Sequence, residues 1–455
     1  RNVSKYITNL SGDIGTPNLA TDNAYSVIVA IMPESLTLDG LTISDAYADG
    51  AYSTEMIEQH RTCGAVYIYS GNFTMNEVSV VDNYALRWGG GLRIRDDADA
   101  VITNSIFQNN VSEGVGGGLN ADYSTLNLSN TTFLFNKALY SAGAAEFYST
   151  DGSVVGCRFI GNQTWAPSMS YDAGALRLLD ADATVINSVF TNNYSPMNGA
   201  ALTICDNADV TVTNTTITGN QSGSYGAGIK VRNAVLDLNN SIVTGNVAPS
   251  SPDIWSSGST ITQQFNLVTT TDPLFLRNPS AGLDGIFATS DDDFGDLRLL
   301  DACPAQDAGA DALALDPNGN PLLIDIEGNP RIIDLQLIPN GAGGAVDIGA
   351  YETTPAFAEF NYYVDDDALP GGDGLTWNTA FNNLHDAIDM AETINNTSPN
   401  ASVMIYMAGG VYIPTRHADL DRNGTIIRTN PRDVTFALPQ NVTIYGGYAG
   451  LNPSP

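Results

Sequence analysis

The sequence predicts an all-β chain wound as a right-handed parallel β-helix, a β-solenoid, because two motifs recur along it in step. An apolar-x-x-Asn motif appears as VVDN, FQNN, FLFN, FIGN, FTNN, ITGN and VTGN, placing asparagines at Asn83, Asn110, Asn136, Asn162, Asn193, Asn220 and Asn246. Their successive spacings are 27, 26, 26, 31, 27 and 26 residues. A motif of three small residues and an apolar one begins at Cys63, Gly89, Gly116, Ala142, Ala173, Gly199 and Gly226, and keeps the same period. Self-similarity at a fixed period of this length is the mark of a solenoid.

Within a turn, apolar and polar residues alternate with the period of a strand, as in LNLSN (126–130), VTVTN (210–214) and LDLNN (236–240). A short N-[ST]-x-[FIV] segment follows, and the small triplet then leads into a third strand such as LRI (92–94). Three short strands per turn are therefore expected, with no helical segments of the kind helical solenoids need. Stacked turns lie roughly 4.8 Å apart, so equivalent side chains sit over one another. An Asn column can then hydrogen-bond up the stack and satisfy the corner backbone. The triplet permits a tight bend that a larger side chain would block. Phe107, Phe133, Phe159 and Phe190 form the expected apolar column of the core.

The paired GGxL and FxxN motifs resemble the repeats of chlamydial polymorphic outer membrane proteins. They are also similar to the wider pectate-lyase-like β-helix group of bacterial surface proteins. The resemblance covers about residues 36–255 and implies surface display and adhesion. After Asn246 the repeat decays into NLVTTTDPLF (266–275), a long acidic run, and VDIGAYE (346–352). This stretch resembles the "choice-of-anchor" ending of secreted β-helix proteins, with Cys303 where that family usually has Ser. It implies final rungs and a C-terminal cap over residues 256–354, following the rungs of 1–255.

Residues 356–455 start afresh as a small α/β segment. They hold an amphipathic helix, capped by Thr379 and marked by Phe381, Leu384, Ile388 and Ala391, then strands in IYMAGGVYIP (405–414) and VTFALPQNVTIYGGYAG (434–450). The segment looks like the family's N-terminal cap displaced to the C-terminus. The expected partner is therefore a further copy, tandem or separate, whose N-terminal rungs receive residues 356–455 head to tail. Arg1 is not an initiator methionine, so a longer precursor is expected.

Composition narrows function further. In 455 residues, 18 basic residues stand against 50 acidic ones, a formal charge of -32 that repels a phosphate backbone and argues against nucleic acid as a partner. No run reaches the roughly 18 apolar residues of a membrane span; an extracellular or cell-surface setting is what the family resemblance implies. Histidines are scattered at His60, His385 and His417, and the GHG, RIK and WxDH signatures of carbohydrate-cleaving β-helices are missing. A non-catalytic structural or adhesive module is the leading expectation, with a carbohydrate-binding or carbohydrate-cleaving β-helix as the alternative. No cofactor is required. Ca²⁺ is a candidate at Asp419, Asp421 and Asn423, spaced like the start of an EF-hand loop but with Asn430 at its twelfth position, and at Asp291 and Asp293 in SDDDFGD. The bland alternative is solvated turn aspartates.

Cys63, Cys157 and Cys205 fall in different columns, so they are not expected to pair with one another. Sequons such as those at Asn110 and Asn193 arise automatically where corner asparagines precede Ser or Thr, and buried asparagines carry no glycans. Both large insertions, 46–63 and 162–173, fall between the Asn column and the triplet. That edge also collects Tyr84, Trp88, Tyr140, Trp165, Tyr171, Tyr194 and Tyr225, candidates for stacking on sugars or for lateral contacts between copies. Rings that only cover their own loops are the alternative.

Overall fold

One turn shows the plan of the whole. Leu119–Asp122 runs into Thr125–Ser129, then Thr132–Leu134, then the two-residue strand Lys137–Ala138. Each pairs in parallel with its equivalent in the next turn. Repeated along the chain, these strands build, among the described residues, a long sheet of 16 strands, a Phe-bearing sheet of 10 and an edge sheet of 7. The fold is a parallel β-helix. This computed structural model describes residues 7–17, 19–50, 59–166, 173–269, 272–300, 303–335, 338–354, 359–397, 402–416, 432 and 434–450. The chain divides into two compact units, Arg1–Thr353 and Thr354–Pro455.

A turn thus has four strands where three were expected. The extra strand lies just past the Asn column, and two residues are too few to reveal an alternation. Its signature is a small buried second residue: Ala85, Ser112, Ala138, Thr164, Ser195 or Ser222. Left-handed residues make the corners. Asn104, Asn130, Asn187, Asn214 and Asn240 all have φ between 45° and 52°, and asparagine enters that region more readily than other residues with a side chain.

The expected core column forms. Phe107, Phe133, Phe159 and Phe190 stack with ring centroids 4.9, 5.0 and 4.5 Å apart and planes within 8° of parallel. Leu126, Leu128, Val154, Val185, Val210 and Val212 are fully buried beside them. The middle residue of the triplet is held to glycine in the earlier turns by neighbouring backbone. A Cβ on Gly117 would lie 2.3 Å from the carbonyl oxygens of both Gly143 and Lys137.

The segment expected to hold final rungs and a cap begins with a rung and continues on the side of the solenoid. A last rung forms from Ile254–Ser257, Thr260–Gln264 and Leu267–Thr269, with Ile254 and Ile261 only half-buried. The described residues of 272–353 run along the outer face of the Phe-bearing sheet as a brace. Arg158 donates to the Ile326 carbonyl at 2.8 Å, Asn240 to that of Ala310 at 2.9 Å, and Asn214 to that of Asp347 at 3.3 Å. The reason is the outward face of that sheet, where Val189 and Ile242 are apolar and need cover; Phe275, Leu297, Ile348 and Ala350 supply it. Inside the brace, the fully buried Arg331 pairs with Glu352 at 3.4 Å and donates to the carbonyls of Asp347 and Gly349.

The second unit is a parallel three-stranded sheet, Glu359–Val364, Ser402–Ala408 and Val442–Tyr448, with the helix Leu384–Thr397. Phe381, Leu384, Ile388 and Ala391 are buried on that sheet as expected. The cap differs: Asn383 Oδ1 accepts the Asp386 N–H at 3.1 Å, while Thr379 ends a separate 3₁₀ turn. Residues 409–414 do not continue the strand.

Candidate functional site

The Asn ladder is the most regular polar feature. Each amide oxygen accepts from both the backbone N–H and the side-chain Nδ2 of the preceding turn's asparagine. For Asn110 on Asn136 these distances are 3.1 and 3.0 Å, and for Asn193 on Asn220 they are 3.1 and 2.8 Å. Every Nδ2 also donates to a core-strand carbonyl, as Asn136 does to Phe107 at 2.8 Å and Asn162 to Phe133 at 2.9 Å. Asn83 takes the Ala46 N–H at one end. At the other end Asn246 donates twice to the Asp253 carboxylate, at 3.3 and 3.0 Å. With its amides spent and buried, the ladder is structural.

The surface chemistry lies on a different column. The middle residue of the strand after each triplet points outward, and register stacks Tyr67, Arg93, Asn120, Glu146, Arg177, Thr203 and Lys230. All seven are no more than 6% exposed. Above this column the edge segments around Trp88, Gly114 and Tyr140 wall a cleft of about 900 Å³, closed on the sheet side by Arg93, Asn120, Asp122, Glu146, Tyr148 and Arg177.

Inside it, Trp88 has the Arg93 guanidinium over its ring at 4.2 Å and that of Arg87 at 4.7 Å. Arg93 Nη2 donates to Asp122 at 2.8 Å. Asn120 donates to Glu146 Oε2 at 3.2 Å, and Arg177 to Oε1 at 2.6 Å. Burial pushes the Glu146 carboxyl above its ordinary range, against the pull of Arg177. Arg93 Nε and Nη1 and Asn120 Oδ1 have no hydrogen-bond partner. Buried polar groups are normally satisfied, and these atoms on the sheet side of the cleft are exceptions to that rule. Two donors, an acceptor and an indole are suited to ring hydroxyls and to the apolar face of a sugar.

Of the edge aromatics named from the sequence, the cleft takes Trp88 and Tyr140. Tyr84 stacks on Tyr47 at 4.3 Å and Tyr225 on Trp255 at 4.2 Å. Trp165 and Tyr194 are half-buried away from the cleft, and Tyr171 lies outside the described residues. Asp419, Asp421 and Asn423 lie outside them too. Asp291 and Asp293 do not converge. Asp291 accepts from Leu283 N and Thr289, while Asp293 pairs with Arg277 at 2.7 Å. Among the described residues, the carboxylates that converge within 4.8 Å are Asp365, Asp366 and Asp367. All four cysteines are free and buried. Lys230, farther along the column beside the Tyr225 ring, is pushed down to about 7 by burial and by Arg232.

Sequence reasoning missed Arg93, Asn120, Asp122, Glu146, Tyr148 and Arg177. A signal was present: aligning the strands on their triplets puts Arg, Asn, Glu, Arg, Thr and Lys at one outward position on successive turns.

No family model matches the chain, and no curated protein matches it. Among the described residues, no helix is long and apolar enough to cross a membrane. Among solved structures, the chain is similar to the crystal structure of the pectate lyase Pel9A, at 13% identity and a TM-score of 0.26, over 72% of this chain and 88% of that one.

Proposed function

We propose that the chain is an extracellular, non-catalytic β-solenoid module that binds saccharide in its edge cleft and joins further copies of itself end to end. The observation that carries the binding reading is the cleft, where Trp88 and Tyr140 stand beside unpaired hydrogen-bonding atoms of Arg93 and Asn120. Its two sheet-side carboxylates, Asp122 and Glu146, are each engaged by an arginine, which suits holding a ligand better than cycling a proton.

End-to-end joining is supported by unpaired strands. Among the described residues, Ile28–Ile31 and Leu36–Asp39 pair only with the following rung, and Ile7, Ile14, Ile31 and Met32 nearby are 64–70% exposed. In the second unit, Val442–Tyr448 is an edge strand with Tyr445 and Tyr448 exposed. Unpaired edges of this kind are completed by adding a strand from another chain. Residues 356–455 of one copy would then extend the first rungs of the next.

A glycan array probed with the wild type and with Trp88→Ala tests the binding reading. The expected result is retention of a defined saccharide set that the variant loses. An array left empty by both proteins overturns it. Electron microscopy of the same preparation is expected to show linear multimers, and monomers at tens of micromolar would contradict the joining. The enzymatic alternative, with Glu146 as proton donor, predicts release of reducing ends from bound saccharides and its loss in Glu146→Gln.

A further inference from the structure

Two strand edges in this chain lack the usual protection. Ile28–Ile31 pairs on one side with residues 66–69, and Val442–Tyr448 pairs on one side with Ser402–Ala408. Among the described residues neither has a neighbour on its other side. Free edges are normally guarded by charge. Yet SVIVAIM (26–32) and VTIYGGY (442–448) carry no charged residue, in a chain that is 15% charged.

The two edges also match in what they face. Ile28 and Ala30 pack on the solenoid core, while Val29 and Ile31 are 43% and 64% exposed. Val442 and Ile444 pack on the core of the second unit, while Thr443 and Tyr445 are exposed. A strand added in parallel keeps its apolar residues on the core face only when inward positions meet inward positions. The ladder with Ser402–Ala408 is regular over 442–445 and shifts beyond them. Using all four regular residues sets Val442 against Ile28 and Tyr445 against Ile31; a slide by two residues leaves only half of those pairs. The four-pair register also extends an existing column. Tyr363, Tyr406 and Tyr445 stack at 5.4 Å from strand to strand, and Ile31 leads on to Tyr69 and Arg95.

The last rung of the solenoid is the rival for the same edge. Its inward positions turn polar, with Ser256 beside Val231 and Gln263 beside Leu238. Val442 and Ile444 offer an unbroken apolar face instead.

We infer that Val442–Tyr448 of one copy adds in parallel to Ile28–Ile31 of a second copy, with Thr443 opposite Val29. This rests on the end-to-end reading above and adds the strand, its direction and its register.

Single-cysteine variants of the full chain, mixed in pairs under mild oxidation, test the register. The four native cysteines are buried, so the introduced thiols are the accessible ones. Opposed residues on neighbouring strands lie about 4.8 Å apart, within disulfide reach, whereas a two-residue offset places them about 8 Å apart. The expected result is a disulfide-linked dimer from Thr443→Cys with Val29→Cys, forming about tenfold or more faster than from Thr443→Cys with Ile31→Cys. Tyr445→Cys with Ile31→Cys is a second matched pair, and replaces the first if circular dichroism shows that a variant does not fold. Sedimentation velocity of the same mixtures without oxidant reads the assembly itself. Multimers with equal linkage of matched and offset pairs overturn the inference and leave end-to-end joining standing. So do multimers in which Ile31→Cys links to Ser257→Cys, the pair that stacking on the last rung would bring together. Monomers without linkage overturn the joining itself.

Discussion

At the scale of single residues, asparagine is required in the ladder because it donates and accepts at once. Asn136 Oδ1 takes two bonds from Asn110, while its Nδ2 serves Asn162 and the Phe107 carbonyl. Replacing Asn136 by Ala strands several buried polar groups and should cost about 2–4 kcal/mol, read as a lowered urea midpoint. Asn136→Asp is expected to be worse at neutral pH, because a carboxylate cannot donate and faces the Asn162 oxygen. Part of the loss should return in acid, where the protonated carboxyl donates again. Equal midpoints for the two variants would contradict this account. Gly117 obeys a steric rule instead, and Gly117→Ala should destabilise by roughly 2–4 kcal/mol through overlap with two carbonyls. Ala200 and Ala227 stand in the equivalent triplet position of later turns, so the penalty belongs to the earlier ones.

At the scale of elements, the ladder behaves as a row of aligned amides in which each backbone N–H and Nδ2 donates to the next turn's oxygen, and Nδ2 also reaches back to a carbonyl of the turn before. Asp253 closes that end with a carboxylate that accepts both Asn246 donors. Asp253→Asn keeps an acceptor and should change stability little, whereas Asp253→Leu should cost about 1–2 kcal/mol. Chemical denaturation of the two variants separates them. Elements with a repeated side-chain requirement were legible in the sequence: the Asn and Phe columns, the triplet bend and the alternating strands. The fourth strand was not, because two residues carry no period. The brace was not legible either, since what directs it is the apolar outward pair Val189 and Ile242, which one-dimensional patterning cannot assign to the outside. The cleft was half legible. Its Trp88 and Tyr140 followed from the variable edge, but its polar floor needed the strands aligned turn by turn, and only then do Arg93, Asn120, Glu146 and Arg177 form a column.

At the scale of the molecule, the brace gives the solenoid a pH dependence. Burial, with Asp347, Asp334 and Asp311 nearby, pushes the Asp307 carboxyl from 3.8 up to about 6. The folded brace therefore holds this proton more tightly than the unfolded chain does. Its contribution is complete below the ordinary carboxylate value and is lost as pH rises through about 6. Hydrogen exchange over residues 272–353, corrected for intrinsic rates, should show opening at least about tenfold more frequent at pH 7.5 than at pH 5. Asp307→Asn, which keeps an acceptor for Leu335 N, should reduce that difference by about tenfold, the remainder belonging to Glu352, whose carboxyl burial pushes up to about 9. The central claim is that an otherwise structural solenoid carries a saccharide site at its edge. A crystal structure of the chain soaked with a saccharide retained on the array tests it most directly. The account predicts a sugar ring against Trp88 and Tyr140, with hydrogen bonds to Arg93 and Asn120. Saccharide density elsewhere on the solenoid, with this cleft holding only water, would contradict it.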